Sequence, residues 1–153
     1  MPAIRTAGDL CSRDVVTASR ATALNEAARQ LRQRHVGCLV IVDETAEGRI
    51  VVGMLTDRDI VTAVVAKEVS PLILRVADVM SEDVATVNET ASLHDALALM
   101  RHRRVRRMPV VEASGMLVGL LSTDDLTRML AGELQSLAEV LGGQRQLEEM
   151  VRP

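Results

Sequence analysis

Residues 9–43, "DLCSRDVVTASRATALNEAARQLRQRHVGCLVIVD", lie without a gap over residues 78–112, "DVMSEDVATVNETASLHDALALMRHRRVRRMPVVE". Asp9 falls on Asp78, Ser12 on Ser81, Thr17 on Thr86, Leu24 on Leu93, Ala27 on Ala96 and Val36 on Val105. The first copy then carries a longer loop, "ETAEGRI" against "ASGM". Past it, "VGMLTDRDI" realigns with "VGLLSTDDL", Gly53 on Gly119 and Asp59 on Asp125. A duplication constrains the fold more than any composition does. Both copies must fold alike, and each is too small and too apolar to stand alone. Two copies stacked through their sheets bury one continuous core.

Each copy reads as strand, helix, strand, strand, helix. The short strands are "DVVTA" and "DVATV". Helices follow with Leu24, Ala27, Ala28 and Leu31, then Leu93, Ala96, Leu97 and Met100, at three- and four-residue spacing. Ser92 with Asp95 predicts a capping box at the start of the second of these. The near-continuous apolar runs "CLVIVD", "IVVGMLT", "RMPVVE" and "MLVGLLS" predict buried strands. Closing helices start near Asp57 and Thr123. Residues 1–66 are expected to form the first repeat with its lead-in, 67–77 a linker in which Pro71 ends the preceding helix, and 78–141 the second repeat. The tail is 142–153. The fold class expected is α+β, two pseudo-twofold-related β-α-β-β-α repeats packed through their sheets.

Composition excludes several functions. Phe, Tyr and Trp are all absent, so bases cannot be stacked on aromatic rings as single-strand binders do. The net charge of -3 argues against nucleic acid. No apolar run approaches the ~18 residues of a membrane span. The N-terminus lacks a charged start and apolar signal core, so the cytoplasm is the expected location. Cys11 and Cys38 form no close-spaced pair and read as buried free thiols. The scattered histidines have no metal-ligand spacing. No catalytic triad or Walker-type loop occurs, so no enzyme activity is expected.

The polar cluster "TDRD" has a structural reading, a capping box of Thr56 with Asp59 repeated by Ser122 with Asp125. Two features add a functional one. Gly53 and Gly119 sit inside strands three residues before the hydroxyl, where glycine marks close approach of a backbone or a ligand. Each cluster also lies where a strand feeds a helix N-terminus, whose N–H groups and dipole attract anions. A phosphate suits Thr56 and the N–H groups. A carboxylate such as Asp59 suits a ribose diol.

The duplicated unit with "GMLTDRD" and "GLLSTDD" resembles the CBS-domain family in its tandem-pair form, over nearly the whole chain. "MLTDRDIV" is similar to small stand-alone bacterial members. The resemblance implies a cleft between paired repeats that holds an adenosine nucleotide of the AMP, ADP or ATP class as a regulatory ligand, with no required cofactor. It implies ribose and phosphate roles for Thr56 and Asp59, and for Ser122 and Asp125. It implies adenine contacts near Val16-Thr17 or Ala85-Thr86, and at Met108-Pro109-Val110. The first copy departs from the pattern: Val40 stands where the second has Pro109, and Gly37-Cys38 where it has Arg106-Arg107. The two clefts are therefore not expected to be equivalent.

The run "RHRRVRR", residues 101–107, reads as a solvated helix end with cations favoured by the dipole. Within it Arg106 and Arg107 are phosphate candidates, as is Arg58. Leu126, Leu130, Leu134, Leu137 and Leu141 form one apolar stripe on a closing helix expected to stop at Gly142-Gly143. That stripe packs on the module's own core or on a partner helix in a homodimer. The expected function is sensing, with an unidentified effector protein downstream. The rivals are an interaction scaffold with vestigial clefts and a sensor of another adenosyl ligand, S-adenosylmethionine or NAD.

Overall fold

The structure, a computed structural model, describes residues 5–151. The element order is α1 (Ala7–Leu10), β1 (Thr17–Ala18), α2 (Leu24–Arg34), β2 (Cys38–Glu44), β3 (Arg49–Thr56) and α3 (Asp57–Ile60), then β4 (Val87–Asn88), α4 (Leu93–Arg103), β5 (Arg107–Val111), β6 (Leu117–Ser122) and α5 (Thr123–Val151). It divides into a unit ending at Leu121 and a second from Ser122 onward. The fold is α+β with two three-stranded sheets, ordered β1-β2-β3 and β4-β5-β6.

The two sheets are built alike. β1 runs parallel to β2, with Thr17 opposite Val40, and β4 runs parallel to β5, with Val87 opposite Val110. β2 and β3 are antiparallel, with an irregularity between Ile41 and Val42. The apolar run of β2 explains its place at the sheet centre: Leu39, Val40 and Ile41 are fully buried. In α2 the buried residues are Leu24, Ala27 and Leu31, one face of a 3.6-residue period. In α4 they are Ala96 and Met100, whereas Leu97 is 41% exposed and off the expected face. Both helices end on a left-handed residue, His35 and Arg104, at matching positions.

The segments preceding the first strand of each copy are exchanged. Ala7 N donates to Ala91 O and Gly8 N to Glu89 O, both at 2.8 Å, so α1 sits on the second copy. Conversely Val76 N donates to Thr22 O at 2.9 Å and Ala77 N to Arg20 O at 3.0 Å. Val76 and Met80 therefore belong to the core of the first copy, with Leu24, Leu39 and Leu55. The same reciprocity appears in two backbone bridges, Met54 with Ser81 and Leu120 with Ser12.

Two local expectations need correction. The helix after β3 is not ended by Pro71. It continues as a π-helical stretch, Val61–Val65, and turns at Glu68, whose φ is 56°. Pro71 instead opens a 3-10 turn, Pro71–Ile73, where its missing N–H costs nothing. Nor does α5 stop at Gly142-Gly143: it runs on to Val151. Two glycines cost about 2 kcal/mol of helix propensity, which the favourable Leu, Gln, Glu and Arg residues around them offset.

Candidate functional site

The end of β3 places Thr56 at the N-cap of α3. The expected capping box is formed: Thr56 N donates to Asp59 Oδ2 at 2.8 Å, and Asp59 N donates to Thr56 Oγ1 at 3.1 Å. The cap fixes the carboxylate by one oxygen. Asp59 Oδ1 takes no hydrogen bond among the described residues. Capping and binding are thus compatible at this residue, because they use different oxygens.

Thr56 and Asp59 open onto a cavity of about 260 Å³. Its walls come from three places in the first unit. Cys38 and Met54 join Thr56 and Asp59 from the first copy; Ser81, Asp83, Val84 and Ala85 come from the lead-in of the second; Val105, Arg106 and Arg107 come from the start of β5. The exchange of lead-ins is what brings the second copy's segment over the first copy's motif. The backbone bridge of Ser81 to Met54 pins it there, with N···O distances of 2.9 and 3.0 Å. Asp83 is held from outside by Arg103, Nη2 to Oδ1 at 2.6 Å.

The chemistry of this cavity is mixed. Met54, Val84, Ala85 and Val105 offer aliphatic walls, Asp59 an acceptor, and Arg106 and Arg107 positive charge. The Cys38 thiol is pushed up by burial, with Arg107 pulling it down and Asp57 raising it further. It is a neutral wall at physiological pH.

Of the residues singled out from sequence, the structure brings Thr56, Asp59, Ala85, Arg106 and Arg107 together on this cavity. Met108, Pro109 and Val110 are buried in the sheet instead. Val16, Thr17 and Thr86 are partly buried and Arg58 is exposed, and none of them lines it. Gly53 faces backbone: a Cβ there would lie 3.0 Å from Ser81 O and from Met80 Sδ. Gly119 is tighter, a Cβ falling 2.6 Å from Ser12 O. Both glycines thus admit the exchanged segments. Sequence reasoning missed Cys38, Met54, Ser81, Asp83, Val84 and Val105. The one available signal was that Ser81 and Asp83 repeat Ser12 and Asp14.

In the second unit, Ser122 and Asp125 interact differently from their counterparts. Ser122 Oγ donates to Asp125 Oδ2 at 2.6 Å and accepts from Asp125 N at 3.1 Å. Arg128 Nη2 pairs with Asp125 Oδ1 at 2.7 Å. Both oxygens of Asp125 are therefore engaged, where Asp59 keeps one open. Ser92 and Asp95 show the same hydroxyl-to-carboxylate arrangement, 2.7 Å, in place of the expected donation from the cap N–H.

Known proteins agree with this architecture. The CBS domain model matches twice, at residues 7–66 and 76–132. The chain belongs to the CBS-domain family, as a tandem pair. An uncharacterized protein of Methanopyrus kandleri, MK0525, is 34% identical over 80% of this chain and 61% of its own length. This chain thus spans about three fifths of that relative. The CBS domain-containing protein YhcV of Bacillus subtilis is 34% identical over 77% of this chain and 80% of itself. The inosine-5'-monophosphate dehydrogenase of Methanocaldococcus jannaschii, 29% identical over 82% of this chain, is matched over only 24% of its length. Among solved structures, the CBS pair of MJ0100 in complex with 5'-methylthioadenosine and S-adenosyl-L-methionine superposes with a TM-score of 0.73. It is 26% identical, covering 85% of this chain and 98% of that one. The cytosolic domain of the Mg2+ channel MgtE in complex with ATP gives 0.68 at 26% identity, over 81% of this chain and 48% of that one. No helix among the described residues is long and apolar enough to cross a membrane.

Proposed function

We propose that this chain is a cytoplasmic regulatory module that binds an adenosine nucleotide in the cavity of the first unit and signals through a second copy of itself and an effector protein. The observation that carries the reading is the convergence of the Thr56–Asp59 motif of one copy with Arg106 and Arg107 of the other on one cavity. Asp59 Oδ1 accepts from the ribose hydroxyls. Thr56 and the two arginines receive phosphate oxygens, guanidinium being suited to bidentate contact. Adenine lies between Met54, Val84, Ala85 and Val105 and is held by dispersion and backbone groups in place of ring stacking. The work of the site is binding, not catalysis. Signalling requires that the ligand favour one conformation or assembly over another.

The solved complexes with ATP and with S-adenosyl-L-methionine support an adenosyl ligand. The paired arginines favour the phosphorylated one over S-adenosylmethionine, which carries no phosphate. The test starts from the ultraviolet spectrum, since a chain without aromatic residues has almost no absorbance of its own above 250 nm. Protein as purified is denatured and filtered, and the filtrate is identified by mass spectrometry. Calorimetric titration with AMP, ADP, ATP, NAD and S-adenosylmethionine follows. A nucleotide in the filtrate, or binding that strengthens with phosphate number and weakens with salt, supports the reading. No binding of any of these at millimolar concentration overturns it and leaves the scaffold. Tightest binding of S-adenosylmethionine moves the site to the sulfonium class.

A further inference from the structure

The first copy has Gly37-Cys38 where the second has Arg106-Arg107. The small residues of the one make room for the large residues of the other. A Cβ on Gly37 would lie 3.6 and 3.7 Å from the two terminal nitrogens of Arg107 and 3.7 Å from Asp57 Oδ2. Arg107 thus reaches over the segment equivalent to its own, and meets a glycine there. Guanidinium and carboxylate flank that glycine no more than about 7 Å apart, close enough for unit charges to interact.

The carboxylate is held in place. Asp57 N donates to Gly37 O at 3.1 Å, and Asp57 Oδ1 accepts from Arg58 N at 2.8 Å. Oδ2 is the oxygen on the Gly37 side. Both charges also act on the Cys38 thiol beside them, in opposite senses. Arg107 lines the cavity and Asp57 does not. One cation of the cavity therefore lies within electrostatic reach of a carboxylate outside it.

We infer that Asp57 is a specificity-determining residue of this cavity: its carboxylate competes with ligand phosphate for Arg107, so it holds back phosphorylated ligands in proportion to their charge and leaves the unphosphorylated nucleoside unaffected. The inference rests on the proposed nucleotide reading and adds to it a residue outside the cavity that sets phosphate preference. A guanidinium drawn toward Asp57 offers less positive potential to the cavity, and each added phosphate charge meets the repulsion of that carboxylate as well. Asp57 is exposed and Arg107 half-buried, so water and salt screen part of the effect. Its size tunes an affinity and does not abolish it. The second copy has Thr123 at the position of Asp57, so the carboxylate at this position belongs to the first copy alone.

The test is calorimetric titration of the full chain with adenosine, AMP and ATP at low salt, beside circular dichroism and thermal melting. Asp57→Asn keeps an acceptor for Arg58 N and should melt as the parent does. It should bind AMP about threefold and ATP about tenfold more tightly, with adenosine within about twofold of the parent. The gain should shrink in high salt. Arg107→Gln should weaken ATP about tenfold, and adding Asp57→Asn to it should recover no more than about twofold, because the contested cation is gone. A parent chain that binds none of the three at millimolar concentration defeats the nucleotide reading and this inference together. A parent that binds, with Asp57→Asn unchanged or weaker, defeats the inference alone. An equal gain for adenosine and ATP also defeats it, since the effect is then not one of phosphate charge. A full tenfold gain for ATP in the Arg107→Gln background defeats the competition for Arg107.

Discussion

Asp59 holds the cap by one oxygen and leaves the other open, and two substitutions separate the cap from the proposed ribose contact. Asp59→Ala removes the acceptor that Thr56 N reaches at 2.8 Å. Losing half of a capping box costs about 1 kcal/mol, which for a chain of this size lowers the melting temperature by about 4 °C. Asp59→Asn keeps an acceptor for the same N–H and should stay within about 2 °C of the parent. Affinity orders the variants differently. Hydrogen bonds to a charged group contribute about 1.5–3 kcal/mol each, and a ribose diol donates two. Counting their overlap, the alanine variant should lose about 3 kcal/mol, roughly 100-fold in Kd. The asparagine variant, with one neutral acceptor, should lose about 10-fold. The assay is calorimetric titration with the tightest nucleotide, beside melting followed at 222 nm. The discriminating result is Asp59→Asn: near-parent stability with clearly weakened binding. If it binds within about twofold of the parent while Asp59→Ala melts lower, Asp59 is only a cap and the ribose assignment is wrong.

Three further outcomes follow from the geometry. Gly119→Ala puts a Cβ 2.6 Å from Ser12 O, and Gly53→Ala puts one 3.0 Å from Ser81 O; urea unfolding should show a loss of about 3 kcal/mol or more for the first and about 1–2 for the second. Arg128→Ala removes the exposed pair with Asp125 Oδ1, worth at most about 1 kcal/mol, so the melting temperature should fall by no more than about 4 °C and nucleotide binding in the first-unit cavity should be unchanged by calorimetric titration. The Cys38 thiol, pushed up by burial, ionises first in the unfolded chain as the pH rises. Its contribution to stability is complete below the unfolded value near 9.0 and is lost as the pH climbs through the raised folded value. Cys38→Ser should therefore flatten the decline of stability above pH 9, measured by urea titration.

Much of this was legible in the sequence because duplication makes every signal appear twice. The central strands declare themselves by runs such as "CLVIV", since only a strand buried on both faces tolerates them. Thr56 with Asp59 reads as a cap, and is one. The exchange of lead-ins was not legible. It is carried by backbone bridges at Ser12 and Ser81, which impose no side-chain period. Gly53 and Gly119 marked the crossings, but a glycine in a strand does not say whether a peptide or a ligand approaches. For the same reason the cavity was half seen: Arg106 and Arg107 were expected to face phosphate, while Asp83 was expected to open the strand "DVATV" and Ser81 only to repeat Ser12. The passage of α5 through Gly142-Gly143 shows a propensity penalty being outweighed by the length of good helix formers around it.

The reciprocal seating of α1 and of residues 76–81 has a consequence for how such a chain arises. A single copy would have an empty berth on its own sheet and an arm with nowhere to dock. Two separate copies satisfy both needs at once by trading arms, which is domain swapping between identical chains. The link at residues 67–75 then turns a bimolecular trade into an intramolecular one, raising the effective concentration of each arm to the millimolar range. The connecting segment is thus a tether, and the traded arms are the clasp.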